Sequence, residues 1–251
     1  MEFARISKLK GHHVTLLEKD GRLGGDVLAA SVPRFKVDLA NLLSWYENEL
    51  RQLEVELKLN FEATPSSVKD LDPEILVIAA GAEYLIPEIK GIGNKKVIKA
   101  TEVLLKTKEI GQSAVIIGAG LVGVETALHL QSNFPTKEIV LIEALPEPLL
   151  DVVSINKLSL MEILRGTTIK MITSAKIRAI TQDGLEYLDQ EGKLNTIFAD
   201  TVILATGFVP RLEFEKLFKE SAPKIYMVGN CKNPGKIIDA INHAAMIALR
   251  I

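Results

Sequence analysis

The chain has 251 residues, 47% of them hydrophobic and 25% charged, with a net charge of −2 at pH 7, a globular composition of a length that suits one large or two modest domains. The near-neutral balance gives no electrostatic reason to expect nucleic acid or an anionic membrane as partner, no apolar run approaches the roughly 18–20 residues of a membrane span, and the start lacks the apolar core of a signal peptide. The single cysteine, Cys231, excludes an internal disulfide, a C-x-x-C redox pair and an all-cysteine metal site within the chain, and a reducing cytoplasm is the expected setting.

In chain order, the first eleven residues read as the tail of a helix that ends near Lys8–Lys10, before a turn at Gly11. Val14–Glu18 then reads as a buried strand closed by an acid. Asp38–Leu53 is expected to be a helix, with Leu39, Leu42, Leu43, Tyr46, Leu50 and Leu53 on one stripe. On such a stripe Trp45 and Tyr46 are core residues rather than stacking platforms. Ile75–Ala80 and Ala114–Ile117 are continuously apolar, as strands covered on both faces are. A helix follows at Leu121–Leu130, then a strand at Ile139–Glu143. Thr168–Ala199 breaks this alternation and reads as a meander of about three strands, with turns at Asp183-Gly184 and Glu191-Gly192. Strands at Thr201–Ala205 and Ile225–Val228 and a helix at Ile237–Leu249 complete the chain. Strands alternating with helices argue for an α/β fold with mostly parallel sheets.

The sharpest motif is the stretch AVIIGAGLVGVETA, residues 114–127. It places G-x-G-x-x-G directly after an apolar strand and at the opening of a helix. Gly118 permits the tight turn, Gly120 lets the backbone approach a pyrophosphate, and Gly123 lets the helix pack close to the strand. Ala119, Leu121 and Val122 lie between them, and the start of the helix offers N–H groups and partial positive charge to phosphates. The next strand ends in Glu143, 20 residues after Gly123, the spacing at which an acid meets a ribose 2′-hydroxyl. An acid there favours NAD(H) over NADP(H), and Ala144 and Leu145 offer no arginine to a 2′-phosphate.

Val14–Glu18 is a second copy of such an acid-ended strand. Only thirteen residues, Met1 to His13, stand ahead of it, where a first strand and a glycine loop would lie. The expectation is a dinucleotide-binding unit entered part-way through its first helix. The bland alternative is an edge strand of an unrelated sheet.

Five stretches carry a resemblance: GHHVTLLEKDGRLGG, ILVIAAGAEYLIPEIKG, AVIIGAGLVGVETA, VILATGFVP and IYMVGNCKNPGKIIDAI. In that order they resemble two-dinucleotide-binding-domain flavoproteins. In particular they look like the C-terminal FAD/NAD(H) part of the enoate reductase, 2,4-dienoyl-CoA reductase and trimethylamine dehydrogenase group. The resemblance implies two Rossmann-like domains, three-layer, with a parallel sheet plus β-meander. The FAD-type domain would be discontinuous and N-terminally truncated, at residues 1–107 and 207–251, with an NAD(H)-binding domain at 108–206 between. It places Glu18, with Lys19 beside it, at the adenosine ribose of FAD, and Gly24-Gly25 near the flavin. Ala80-Gly81 and Thr206-Gly207 match two A-T-G turns beside the cofactors, the first with alanine for its threonine. Gly229-Asn230 matches a G-D turn at the ribityl chain, with asparagine for the acid, which loses charge-assisted hydrogen bonding.

The function implied is passage of hydride from NADH to FAD and on to an acceptor outside this chain, with no protein acid or base and no metal. The missing first glycine loop argues against FAD being held by this chain alone. The acceptor expected is an FMN/iron–sulfur barrel domain or subunit, or another electron carrier, and the incomplete sheet leaves room for a homo-oligomer. The competing reading is a non-catalytic NAD(H)- or ADP-binding subunit or remnant. Cys231 is expected to be packing, His12 and His13 partly exposed, and Lys95-Lys96 a solvated turn. His243 and Glu125 are left open, the latter between a helix-start acid and a group facing the nicotinamide.

Overall fold

The computed structural model describes residues 1–150 and 152–251. By internal packing the chain divides into two units: unit 1 holds Met1–Ser31, Val37–Tyr84 and Phe208–Ile251, and unit 2 holds Val32–Lys36 and Leu85–Gly207. No described helix is long and apolar enough to cross a membrane.

In unit 1 the chain forms α1 (Glu2–Leu9), β1 (Thr15–Leu17), α2 (Asp26–Ala30), α3 (Val37–Gln52), β2 (Glu56–Lys58), α4 (Pro65–Lys69), β3 (Ile75–Ile78) and β4 (Glu83–Tyr84). Unit 2 follows with β5 (Val97–Lys99), α5 (Ala100–Leu104), β6 (Ser113–Ile117), α6 (Leu121–Asn133), β7 (Glu138–Ile142), α7 (Ser154–Arg165) and β8 (Lys170–Ile172). It ends with β9 (Lys176–Ile180), β10 (Gly184–Leu188), β11 (Leu194–Phe198) and β12 (Thr201–Leu204). The chain returns to unit 1 as β13 (Phe208–Val209), α8 (Glu213–Leu217), β14 (Lys224–Met227) and α9 (Ile237–Arg250).

Unit 2 is three-layered. Its parallel sheet runs β5-β12-β6-β7-β8. Successive strand residues point to opposite faces, and both faces are covered. Ala114, Ile116, Ile139, Leu141 and Ile203 pack with Val124, Ala127 and Leu128 of α6. Val115, Ile117, Ile142, Val202 and Leu204 pack with Ile180, Leu185 and Ile197 of the meander β9-β10-β11. Two-sided covering explains why these strands read as unbroken apolar runs. Val115, Ile116, Leu141, Ile142, Val202 and Ile203 are fully buried, each worth about 1.5–3 kcal/mol of burial.

The expected meander is shorter than the Thr168–Ala199 stretch. Lys170–Ile172 pairs in parallel with β7 as the sheet's edge, and the antiparallel part starts at Lys176. A short apolar run does not reveal whether its partner is parallel or antiparallel.

Unit 1 has no comparable sheet. β1 pairs in parallel with β2, β3 with β14, and β4 antiparallel with β13, and among the described residues no ladder joins these pairs. The strand read as buried at Val14–Glu18 is therefore only half-buried. α3 follows its predicted stripe through Leu43, Tyr46 and Leu50, but Trp45 stands 43% exposed, against the core placement expected of it. The helix carries its apolar stripe on Tyr46, one residue (about 100°) from Trp45. α4 starts at Thr64, whose hydroxyl accepts the Ser67 N–H, with Pro65 at the first helical position.

Candidate functional site: the glycine loop of unit 2

The glycine loop lies between β6 and α6, and its glycines are sterically required. A Cβ on Gly123 would stand 1.9 Å from the Gly118 carbonyl oxygen. A Cβ on Gly118 would stand 2.4 Å from the Ala205 oxygen, and Gly118 adopts φ +102°. Gly118, Gly123 and the Ala205-Thr206 turn are thereby packed together. Thr206 Oγ1 donates to the Leu85 carbonyl at 2.6 Å, and the Leu85 N–H donates to Gly207 O at 3.0 Å. Gly120 caps α6 and brings no side chain to its first turn. The amides of Leu121, Val122 and Gly123 thus head a helix whose start is uncapped, the arrangement that accepts a phosphate.

Glu143 follows β7 and reaches back to the loop. Its Oε2 accepts the Ala119 N–H at 2.7 Å and its Oε1 accepts the Leu145 N–H at 3.0 Å. The predicted acid and the predicted loop are therefore brought together.

One pair in this region carried no sequence signal. Glu125, on α6, is 7% exposed and forms an ion pair with Lys36 at 2.5 Å. Burial pushes the Glu125 carboxyl above its ordinary pKa, and the Lys36 ammonium opposes that rise. The Val32–Lys36 segment packs with unit 2 although its sequence neighbours belong to unit 1, so no local pattern could have matched these two residues.

The unit 1 candidates fall into separate places. The Glu18 N–H donates to Lys58 O at 2.9 Å, and its Oε1 accepts the Asp20 N–H at 3.0 Å. Lys19 beside it is exposed. Gly24 (φ +124°) and Gly25 (φ +51°) lead into α2. Ala80-Gly81 and Gly229-Asn230 stand at one end of the β3–β14 ladder, where the Val228 N–H donates to Ile78 O at 2.9 Å. Asn230 Oδ1 accepts the Gly235 N–H at 3.1 Å, and its NH2 group is a donor. His243 Nδ1 accepts the Gly229 N–H at 3.3 Å. Cys231 is buried, its thiol donating to Ile78 O and Val228 O, both at 3.1 Å, and burial pushes its pKa up. Lys96, expected in a solvated turn, instead donates to Gln182 O at 2.5 Å and Ala199 O at 2.8 Å and pins the meander.

Residues 1–247 match the family model described as pyridine nucleotide-disulphide oxidoreductase. The chain belongs to that family. Its members bind FAD and NAD(H). The cinnamate reductase of Clostridium sporogenes is 32% identical over 255 residues, covering 100% of this chain and 37% of that protein. The NADH oxidase of Thermoanaerobacter brockii is 30% identical over 256 residues, covering 100% of this chain and 39% of that protein. A solved 2-naphthoyl-CoA reductase in complex with 2-naphthoyl-CoA superposes with a TM-score of 0.95 at 31% identity, covering 100% of this chain and 38% of that one. The chain thus spans under two fifths of the length of these relatives.

In unit 2 the glycines that a Cβ would obstruct, the uncapped helix and the carboxylate suit a dinucleotide. In unit 1 the glycine turns and Asn230 suit the ends of FAD.

Proposed function

We propose that this chain is the pyridine-nucleotide module of an NADH-dependent flavin oxidoreductase, with residues 108–206 as its NAD(H)-binding domain. The observation that carries the reading is the contact between Glu143 and the Gly118–Gly123 loop. The loop and the start of α6 receive the diphosphate, and Glu143 meets the adenosine ribose. Thr206-Gly207 borders the loop and would lie beside the cofactor. When bound, NADH would supply a hydride and FAD would take it up. The residues here would hold and orient the dinucleotide, and none is assigned to donate or accept a proton. Glu18, Lys19, Gly24, Gly25, Ala80, Gly81, Gly229 and Asn230 are the candidates for FAD.

Electrons leave to an acceptor outside this chain. The larger relatives, one of them named for an enoate-type substrate, support an FMN/iron–sulfur barrel in that role. A cytoplasmic setting fits the lone buried thiol. A second reading, an NAD(H)- or ADP-binding subunit without turnover, is favoured by one observation, Asn230, which lacks the charge an acid would bring to the ribityl chain of FAD.

Calorimetry with NADH and NADPH tests the first reading. We expect NADH to bind, NADPH to bind at least tenfold more weakly, and Glu143→Ala to lower NADH affinity about tenfold, the size of a lost charge-assisted bond. No NADH binding by folded protein overturns it. Flavin absorbance after reconstitution separates the two readings, since the second predicts a colourless protein that still binds NADH.

A further inference from the structure

Glu143 holds more than a place beside a ribose. Its carboxylate spans two backbone amides, Ala119 at 2.7 Å and Leu145 at 3.0 Å, that belong to different segments. The tie is repeated further along. The Leu149 N–H donates to the Ala119 carbonyl at 2.9 Å, so both polar groups of Ala119 are taken by residues 143–149. The Leu145 carbonyl is in turn held by the Ser174 N–H at 3.0 Å. Pro146 and Pro148 stiffen the interval by fixing φ. Leu149 is 1% exposed and sits at φ +55°, a left-handed conformation that a leucine keeps only when its surroundings enforce it.

We propose that Glu143 is a clamp that fastens the Glu143–Leu149 strap onto the glycine loop, so that the adenosine end of the site is built before a nucleotide arrives. It is a positioning residue for the Gly118–Gly120 backbone, independently of any bond to ribose. This inference rests on the reading of the loop as a dinucleotide cradle.

Two measurements test it. The first titrates the parent chain, Glu143→Gln and Glu143→Ala with ADP and with 2′-deoxy-ADP, which has no hydroxyl for the carboxylate. The clamp predicts that 2′-deoxy-ADP binds both variants about tenfold more weakly than the parent, because the loop itself has loosened. Equal affinity of parent and variants for 2′-deoxy-ADP overturns the clamp and leaves Glu143 a ribose ligand only. The second measurement is amide hydrogen exchange without ligand. Ala119 is expected to be protected in the parent and to exchange at least tenfold faster in Glu143→Gln, with Ile116 in β6 unchanged. An Ala119 amide that exchanges at the same rate in both proteins overturns the proposal even if the alanine variant fails to fold. A parent that binds neither ADP nor NADH sinks the functional reading instead, while the exchange result still decides the clamp.

Discussion

The same short pattern occurs twice in this chain with different outcomes. β7 and Glu143 lie inside a five-stranded sheet, whereas β1 and Glu18 lie in a two-stranded one. Leu141 and Ile142 of β7 are 0% exposed, while Thr15, Leu16 and Leu17 of β1 are all half-buried. Glu143 receives amides from the glycine loop and from Leu145, whereas Glu18 receives the amide of Asp20, two residues on. The two acids differ in what meets them: the glycine loop of the neighbouring strand at Glu143, a local turn at Glu18. β7 is buried because α6 packs on one face of its sheet and the meander on the other.

Glycine substitutions break this comparison most sharply. Gly123→Ala drives a methyl against the Gly118 carbonyl, with no flexible side chain to yield. We expect a loss of about 3 kcal/mol in urea unfolding, the upper end of overpacking costs, and no detectable NADH binding. Gly25→Ala meets nothing within 4 Å and bears only the strain of φ +51°. About 1 kcal/mol is expected there, with NADH affinity unchanged. Equal effects at the two positions would remove the distinction between a built site and an open turn.

Buried charge sharpens the comparison next. In unit 2, Lys36→Met leaves the Glu125 carboxylate without its partner. Removing one member of a buried pair costs about 3–5 kcal/mol, and with Lys36 still 23% exposed we expect about 2 kcal/mol at pH 7. The pH dependence has a definite sign. The folded-state pKa of Glu125 is already raised by burial, so the protonated acid is the form the fold favours. Any stability tied to that proton is complete below the unfolded value near 4.5 and is lost as pH rises through the folded one. The Lys36→Met deficit should therefore shrink as the pH falls from 7 toward 4.5, and a deficit independent of pH would place the effect in packing rather than charge.

How far the sequence carried differs between the units for physical reasons. In unit 2 a tight turn, a helix start and a strand end each need particular residues at fixed spacing. Gly118, Gly120, Gly123 and Glu143 therefore announced the loop, the helix and the acid, and the acid does meet the loop. In the parallel sheet β6, β7 and β12 kept their predicted places to within a residue at either end, whereas β5 (Val97–Lys99), only three residues long, was not expected from the sequence. The edge strand β8 was read as meander because pairing direction is set by tertiary contacts. Lys36–Glu125 was invisible because a long-range ion pair has no period. The strap had one legible sign, the prolines at 146 and 148, but the Leu149 conformation and its bond to Ala119 arise from tertiary packing. In unit 1 the half-buried state of β1 follows from which strands pair, and strand composition does not encode that.

The smallest expected effect lies in unit 1. Tyr46 is 4% exposed, and its hydroxyl is hydrogen-bonded to Glu2, which also pairs with Arg5 at 2.8 Å. Burial first, then the Glu2 charge and the hydrogen bond to it, push the Tyr46 pKa up to about 12, with Arg5 opposing. The folded value lies above the ordinary phenol value of 10, so the neutral phenol is the form the fold favours. Its contribution is complete below pH 10 and is lost as pH rises toward 12. Tyr46→Phe removes one hydrogen bond and should cost about 1 kcal/mol at pH 7. Because phenylalanine cannot ionise, the parent's advantage should disappear on alkaline titration and the two unfolding curves converge. An advantage that persists unchanged above pH 11 would mean that Tyr46 contributes through ring packing on α3 alone, and the α1–α3 polar cluster would then have no part in holding unit 1 together.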